Sequence, residues 1–155
     1  MNECWNFFKY ANLNDLARIN LLIKKNYKWF SHLKKDHIYD KIIRNECIYE
    51  NGVVLTFRIT KGLESLGSYK IIKNNTVLEQ LVRENLEIKN SYAEHIFTKF
   101  VNCTVGNTYL SVNVTNSRAI NFYKKMGMVI LENYISKIDY KKRTILVYKK
   151  KITLN

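Results

Sequence analysis

Proline is absent from this chain of 155 residues, and glycine occurs only five times. With so few breakers, the glycines present act as punctuation between elements. No linker, internal repeat or low-complexity block interrupts the chain. Three cysteines, Cys4, Cys47 and Cys103, are odd in number and widely scattered. No Cys-x-x-Cys or Cys/His cluster exists, so neither a metal site nor a disulfide framework is expected, and a reducing, cytoplasmic setting fits best. No run of about 18 apolar residues is present, which argues against a membrane-spanning helix. The opening Met-Asn-Glu-Cys lacks a basic segment leading into an apolar one, so no signal peptide is expected. A helix-turn-helix pattern and an aromatic–basic RNA signature are also missing.

Acidic residues are scarce relative to basic ones: 13 against 26, for a formal charge of +13. The excess is densest at the end, where Lys137 to Lys151 holds seven basic residues and one acid. A surface this positive steers polyanions toward it. A Lys- and Asn-rich composition with solvated lysines accounts for the same numbers.

What remains is the composition of a folded chain. Hydrophobic residues make up 46% and aromatics 13%, enough for a sizeable core in a single domain spanning residues 1–155. Cys4 to Ala11 reads as a first strand. Asn12 and Asp15 then form an N-terminal cap, followed by Leu16, Ile19, Ile23, Tyr27 and Phe30 at helical spacing. A second helix is predicted over Ser31 to Arg44, with Leu33, Ile38, Ile42 and Ile43 apolar. Asn51-Gly52 is a type I′ hairpin signal joining Cys47–Glu50 to Val53–Ile59. Lys61 to Asn75 reads as a loop with a short extended piece at Tyr69 to Ile72. A strand follows at Thr76 to Arg83, then a helix from about Ser91 to Val101. Thr108 to Val114, with period-two alternation, is a further strand. A helix after Asn116 and two strands, Val129 to Lys137 and Arg143 to Lys151, complete the chain. The order β-α-α-β-β-β-α-β-α-β-β predicts an α/β fold, a mixed sheet flanked by helices.

The most specific stretch lies between Tyr109 and Met128. Asn116 sits at an N-cap position. Ala119, Phe122, Tyr123 and Met126 fall on one helical face, and Gly127 stands where a C-cap needs positive φ. This pattern resembles the Asn-x-x-Ala-x-x-Phe-Tyr-x-x-x-Gly-Phe motif of the GNAT (Gcn5-related) N-acetyltransferase superfamily, with Met128 replacing the final Phe. The small, Lys- and Asn-rich form is also similar in style to acetyltransferase-like proteins of bacteriophages.

The resemblance implies a GNAT-like sheet and an acetyl-CoA site. The strand Thr76 to Arg83 would splay from Thr108 to Val114. Backbone amides near Leu81, Val82 and Arg83 would bind the pantetheine arm and polarise the thioester. The helix that follows would receive the pyrophosphate on its first amides. The family's Arg/Gln-x-x-Gly-x-Gly/Ala turn corresponds to Ile88-Lys89-Asn90-Ser91-Tyr92-Ala93, in which only Ala93 matches. Ser91 is small and can cap or donate to phosphate, and Lys89 supplies charge. The loop is therefore degenerate relative to the family.

Acetyl transfer to an amine needs a deprotonated nucleophile, a polarised carbonyl and a proton for the thiolate. Tyr123 occupies the family's general-acid position, and a phenol stays protonated at neutral pH. Asn116 and Ala119 would border the cofactor arm. For the base, Glu79 lies mid-strand where some family members carry a carboxylate; His32, His37 and His95 are alternatives. Trp29, Phe30, His32, Tyr49 and Phe57 are candidates to line an acceptor cleft or, equally, to be core. Two functions remain open. One is an acetyl-CoA-dependent N-acetyltransferase, a monomer or dimer, acting on an amine of an unidentified acceptor: the basic rim favours an acidic or polyanionic one, and a nucleic-acid base or tRNA-linked amine, a protein lysine or N-terminus in an acidic segment, or a small metabolite all stay open. The other is an inactive module of the same fold that binds nucleic acid or a host protein through its basic surface.

Overall fold

The computed structural model describes residues 3–85 and 87–151. Its helices are α1 (Leu16–Lys25), α2 (Tyr27–Phe30), α3 (His37–Ile43), α4 (Asn90–Cys103) and α5 (Ser117–Lys125). Its strands are β1 (Cys47–Glu50), β2 (Val53–Ile59), β3 (Glu64–Leu66), β4 (Tyr69–Ile71), β5 (Thr76–Arg83), β6 (Thr108–Asn113), β7 (Val129–Ile135) and β8 (Lys142–Tyr148). Six strands form a mixed sheet in the order β1-β2-β5-β6-β8-β7, and β3 and β4 form a separate hairpin. The sheet is mostly antiparallel, with β5 and β6 parallel. Packing divides the chain into two compact units, Met1–Phe57 with Glu79–Phe97, and Arg58–Leu78 with Thr98–Asn155.

In the first unit, α1 and α3 bury Ile19, Leu22, Ile38 and Ile42 against Ala11, Cys47, Val54 and Val82. The β1–β2 turn has Asn51 at φ +49° and Gly52 at φ +73°, the double positive φ that Asn-Gly was expected to supply.

Several expected elements differ. Residues Glu3–Phe7 form a 3-10 turn, and only Tyr10 bridges to Ile48, where a first strand was predicted. The reason is spacing: Trp5 and Phe8 are three apart and both buried, while Phe7 is 73% exposed. A strand would have paired alternate residues instead. The predicted second helix is split. Between α2 and α3 the only apolar residue is Leu33, so continuing the helix would bury almost nothing. Within α3 the buried stripe is Ile38, Lys41 and Ile42, and Ile43 is 55% exposed, not buried as expected. Tyr27, read at helical spacing with Leu16, Ile19, Ile23 and Phe30, is exposed.

In the second unit, Ile71, Val77, Tyr109 and Val147 form a core cluster with Leu66, Tyr69 and Leu131 packed onto it. The segment expected to be mostly loop thus folds as the β3–β4 hairpin and covers Tyr109. Both faces of β6 are covered, so Tyr109, Leu110 and Val112 are all buried. β5 and β6 run parallel, with Thr76 opposite Thr108 and Val77 opposite Tyr109.

Among the described residues no helix is long and apolar enough to cross a membrane, and no group of His, Cys, Asp and Glu is placed to hold a metal ion. Cys47 is a buried free thiol.

Candidate functional site

Two polar constellations, one in each unit, carry the sequence-predicted residues. In the second unit, the Asn116 side chain accepts from the Ala119 amide at 3.3 Å and caps α5. At the other end, the Met128 amide donates to the Tyr123 carbonyl and the Gly127 amide to the Lys124 carbonyl, both at 3.0 Å. Those two bonds are the Schellman arrangement, and Gly127 at φ +98° permits it. A Cβ on Gly127 would also stand 3.4 Å from the Tyr148 ring.

Between these caps, Tyr123 is the one fully buried residue of α5. Its ring meets Phe122 edge-on, with centroids 5.5 Å apart. Burial pushes its phenol well above the ordinary value near 10. The group therefore holds its proton throughout the physiological range. Ala119, Phe122 and Met126 are half-buried on the same side, while Asn121, Lys124 and Lys125 face solvent.

In the first unit, β5 carries Glu79, Leu81, Val82 and Arg83. Glu79 faces two groups from α3. The Lys41 ammonium is 3.1 Å from its Oε2, and His37 Nε2 is 3.4 Å from the same oxygen. Lys41 is buried; it also donates to the Phe57 carbonyl at 2.9 Å and lies 3.4 Å from Glu46 Oε1. Beside it, Gln80 Oε1 accepts from Thr56 Oγ1 and lies 2.8 Å from His37 Nε2, and the Gln80 amide donates to Thr56 Oγ1 at 3.0 Å. Lys41 was not singled out in the sequence. Its signal was available: Ile38, Lys41 and Ile42 at i, i+3, i+4 place a lysine on the buried stripe.

After β5 the chain turns into α4. Arg83 donates from Nη1 to the Ile88 carbonyl at 2.8 Å, and Asn85 Oδ1 accepts from the amides of Glu87 at 2.9 Å and Ile88 at 3.2 Å. Ile88, at the family's Arg/Gln position, packs on the hairpin instead: a Cβ on Gly52 would lie 2.6 Å from its Cδ1. α4 begins at Asn90, one residue before the expected start, with the Tyr92 amide donating to the Lys89 carbonyl at 3.0 Å. Lys89, Asn90, Ser91 and Tyr92 are exposed, and Ala93 is buried. Helix starts leave their first amides without intrahelical acceptors.

Of the residues offered for an acceptor cleft, Phe57 belongs to the core, 1% exposed and stacked on Trp5 at 5.1 Å. Tyr49 is half-buried and donates to Glu84 Oε1 at 2.8 Å. Trp29 carries Lys28 over its ring, and His32 is half-buried. His95 is exposed.

Solved structures share this fold. A probable acetyltransferase from Staphylococcus epidermidis superposes with a TM-score of 0.67 at 20% identity, covering 93% of this chain and 98% of its own. The aminoglycoside N(6')acetyltransferase of Legionella pneumophila gives 0.67 at 16% identity, covering 92% of this chain and 90% of its own. NAA60 of Arabidopsis thaliana, solved with acetyl-CoA, gives 0.64 at 15% identity over 92% and 97%. The chain has the GNAT fold. No family model and no curated protein matches the sequence.

Proposed function

We propose that this protein is an acetyl-CoA-dependent N-acetyltransferase that acts on an amine of an acidic or polyanionic acceptor. The observation that carries the reading is α5: Asn116 caps it, Gly127 closes it, and between them Tyr123 is buried with its proton held. The GNAT fold supports the same reading, as do solved neighbours that are acetyltransferases, one of them holding acetyl-CoA.

In this reading acetyl-CoA is the substrate that supplies the acyl group. The backbone of Leu81, Val82 and Arg83 holds the pantetheine arm and donates to the thioester oxygen as negative charge develops there. Lys89, Asn90, Ser91, Tyr92 and Ala93 at the start of α4 receive the pyrophosphate, with the Lys89 charge and the Ser91 hydroxyl replacing a glycine cradle. Asn116 and Ala119 border the arm. Tyr123 protonates the departing thiolate; the same burial that strengthens the phenol's hold on its proton also makes a desolvated thiolate more basic. The proton-accepting side falls to the cluster that holds Glu79 and His37.

Calorimetric titration with acetyl-CoA, with desulfo-CoA for comparison, tests the reading. Micromolar binding is expected. Tyr123→Phe should keep binding and slow transfer by roughly 10²–10⁴-fold; an unchanged rate would remove Tyr123 from the chemistry.

One observation favours the second reading, an inactive module that binds a polyanion. Ile88 is committed to packing on Gly52 and offers nothing to phosphate. That reading expects no acetyl-CoA binding at millimolar ligand, and polyanion affinity that falls steeply with salt. The basic C-terminal patch is smaller than its count implies. Arg143 is buried against Asp139 at 3.1 Å, and Lys150 donates to the carbonyls of Val101 and Asn102 at 2.9 Å.

A further inference from the structure

The polar cluster around Glu79 contains more than a lone carboxylate, and its hydrogen bonds fix the state of one ring. The Gln80 amide donates to Thr56 Oγ1 at 3.0 Å, so the Thr56 hydroxyl proton is directed to Gln80 Oε1. That identifies Oε1 as the acceptor end of the Gln80 side chain. His37 Nε2, 2.8 Å from the same Oε1 and 3.4 Å from Glu79 Oε2, faces two acceptors and must carry a proton. In the neutral ring the lone pair is then on Nδ1.

Charge and exposure separate the two candidate bases. The Glu79 side chain is 12% exposed and lies 3.1 Å from the Lys41 ammonium, which is itself 5% exposed. An ammonium at that distance favours the ionised carboxylate and weakens it as a proton acceptor. The His37 ring is 20% exposed, the most open member of the trio. Around it stand Glu79 and Gln80 from β5 and Lys41 from its own helix, with Glu46 facing Lys41. One ammonium against two carboxylates leaves a net charge of −1, which an imidazolium neutralises. The positive end of α3 opposes that cation, and Glu79 offsets it.

The geometry points to His37 as the proton acceptor for the incoming amine, with Glu79 as the positioning residue that fixes its tautomer and Lys41 as the cation that keeps Glu79 ionised. This rests on the acetyltransferase reading and deepens it. His37 Nδ1 takes one proton from the acceptor ammonium and passes it to solvent. The freed nitrogen lone pair forms the C–N bond to the thioester carbon, and the carbonyl π pair moves to oxygen. On collapse the C–S bond breaks with its electrons on sulfur, which takes the Tyr123 proton. The remaining excess proton on nitrogen restores the phenol. The net products are an amide, free thiol and one proton released.

Two measurements on the whole chain decide it. The first is nitrogen NMR of histidine-labelled protein across pH, with the three histidines assigned by loss of signal in His37→Gln. A neutral His37 protonated on Nε2 is expected, with that tautomer preference weakened in Glu79→Gln. Protonation on Nδ1, or tautomer populations unmoved by Glu79→Gln, overturns the assignment. The second is thiol release from acetyl-CoA alone, water standing in for the amine, followed over pH. His37→Gln should bind acetyl-CoA as the wild type does and release thiol at least about tenfold more slowly. Adding hydroxylamine, largely unprotonated at neutral pH, should narrow the gap. Equal release by the two proteins at every pH overturns the proposal even when both bind acetyl-CoA. Absence of acetyl-CoA binding by the wild type removes the transferase reading itself.

Discussion

Replacing Lys41 with methionine keeps most of the side-chain volume and removes one buried charge. In the native fold its ammonium donates to the Phe57 carbonyl at 2.9 Å, and it lies 3.1 Å from Glu79 and 3.4 Å from Glu46. Removal strands these partners unequally. Glu46, 19% exposed, regains water readily, whereas Glu79 at 12% does so poorly. The lost donor to a buried carbonyl costs about 1–3 kcal/mol, and a mostly buried carboxylate deprived of its ammonium partner up to about 3–5 kcal/mol. The two overlap, and the methionine recovers some apolar burial, so a net loss of about 3 kcal/mol is expected for Lys41→Met. With a urea m-value of about 2 kcal/mol/M, the unfolding midpoint should fall by roughly 1.5 M. The double variant Lys41→Met with Glu79→Gln removes the stranded charge along with its partner. It should lie at least about 1 kcal/mol above the additive expectation. A single variant within about 1 kcal/mol of wild type, or a strictly additive double variant, would show that the cluster is far better hydrated than its geometry implies.

Other consequences are as direct. Burial first, then the hydrogen bond and charge of Glu84, push the Tyr49 phenol up to about 12. Its stabilisation is full below the unfolded value near 10 and is lost as pH rises through about 12. Tyr49→Phe should therefore flatten the alkaline fall in the urea midpoint. The Cys47 thiol, also pushed up to about 12 by burial, contributes a slope of the same sign that Cys47→Ser removes. Asn116→Ala should cost about 1 kcal/mol in thermal unfolding through the lost cap on Ala119. Gly127→Ala forces a Cβ onto φ +98° and should cost about 1–2 kcal/mol; a neutral result would mean that the turn relaxes out of the Schellman geometry.

What was legible in the sequence is what is decided locally. Asn116 to Met128 folds as read because its cap, its apolar face and its glycine lie within a dozen positions and need no distant partner. Asn51-Gly52 is readable for the same reason: two positive φ values specify one hairpin turn. The N-terminal stretch misleads because Trp, Phe, Phe and Tyr suit a strand as well as a 3-10 turn. The choice falls to Phe57, some fifty residues away, which stacks on Trp5 and rewards the turn that presents it. The second helix misleads differently. Ile43 looks like core, yet the stripe through Ile38 and Ile42 reaches Lys41, whose charge is tolerable only because Glu79, Glu46 and the Phe57 carbonyl converge on it. Those partners come from β5, from the turn before β1 and from β2, so no window of sequence contains the set. Glu79 could be picked out as a polar residue on a strand between apolar neighbours. Its ion pair with Lys41, and the Nε2–H tautomer set on His37 through Gln80, exist only once three elements meet. A buried charge is placed by its partners, and when those are scattered the chemistry of a site is less legible than the helix that frames it.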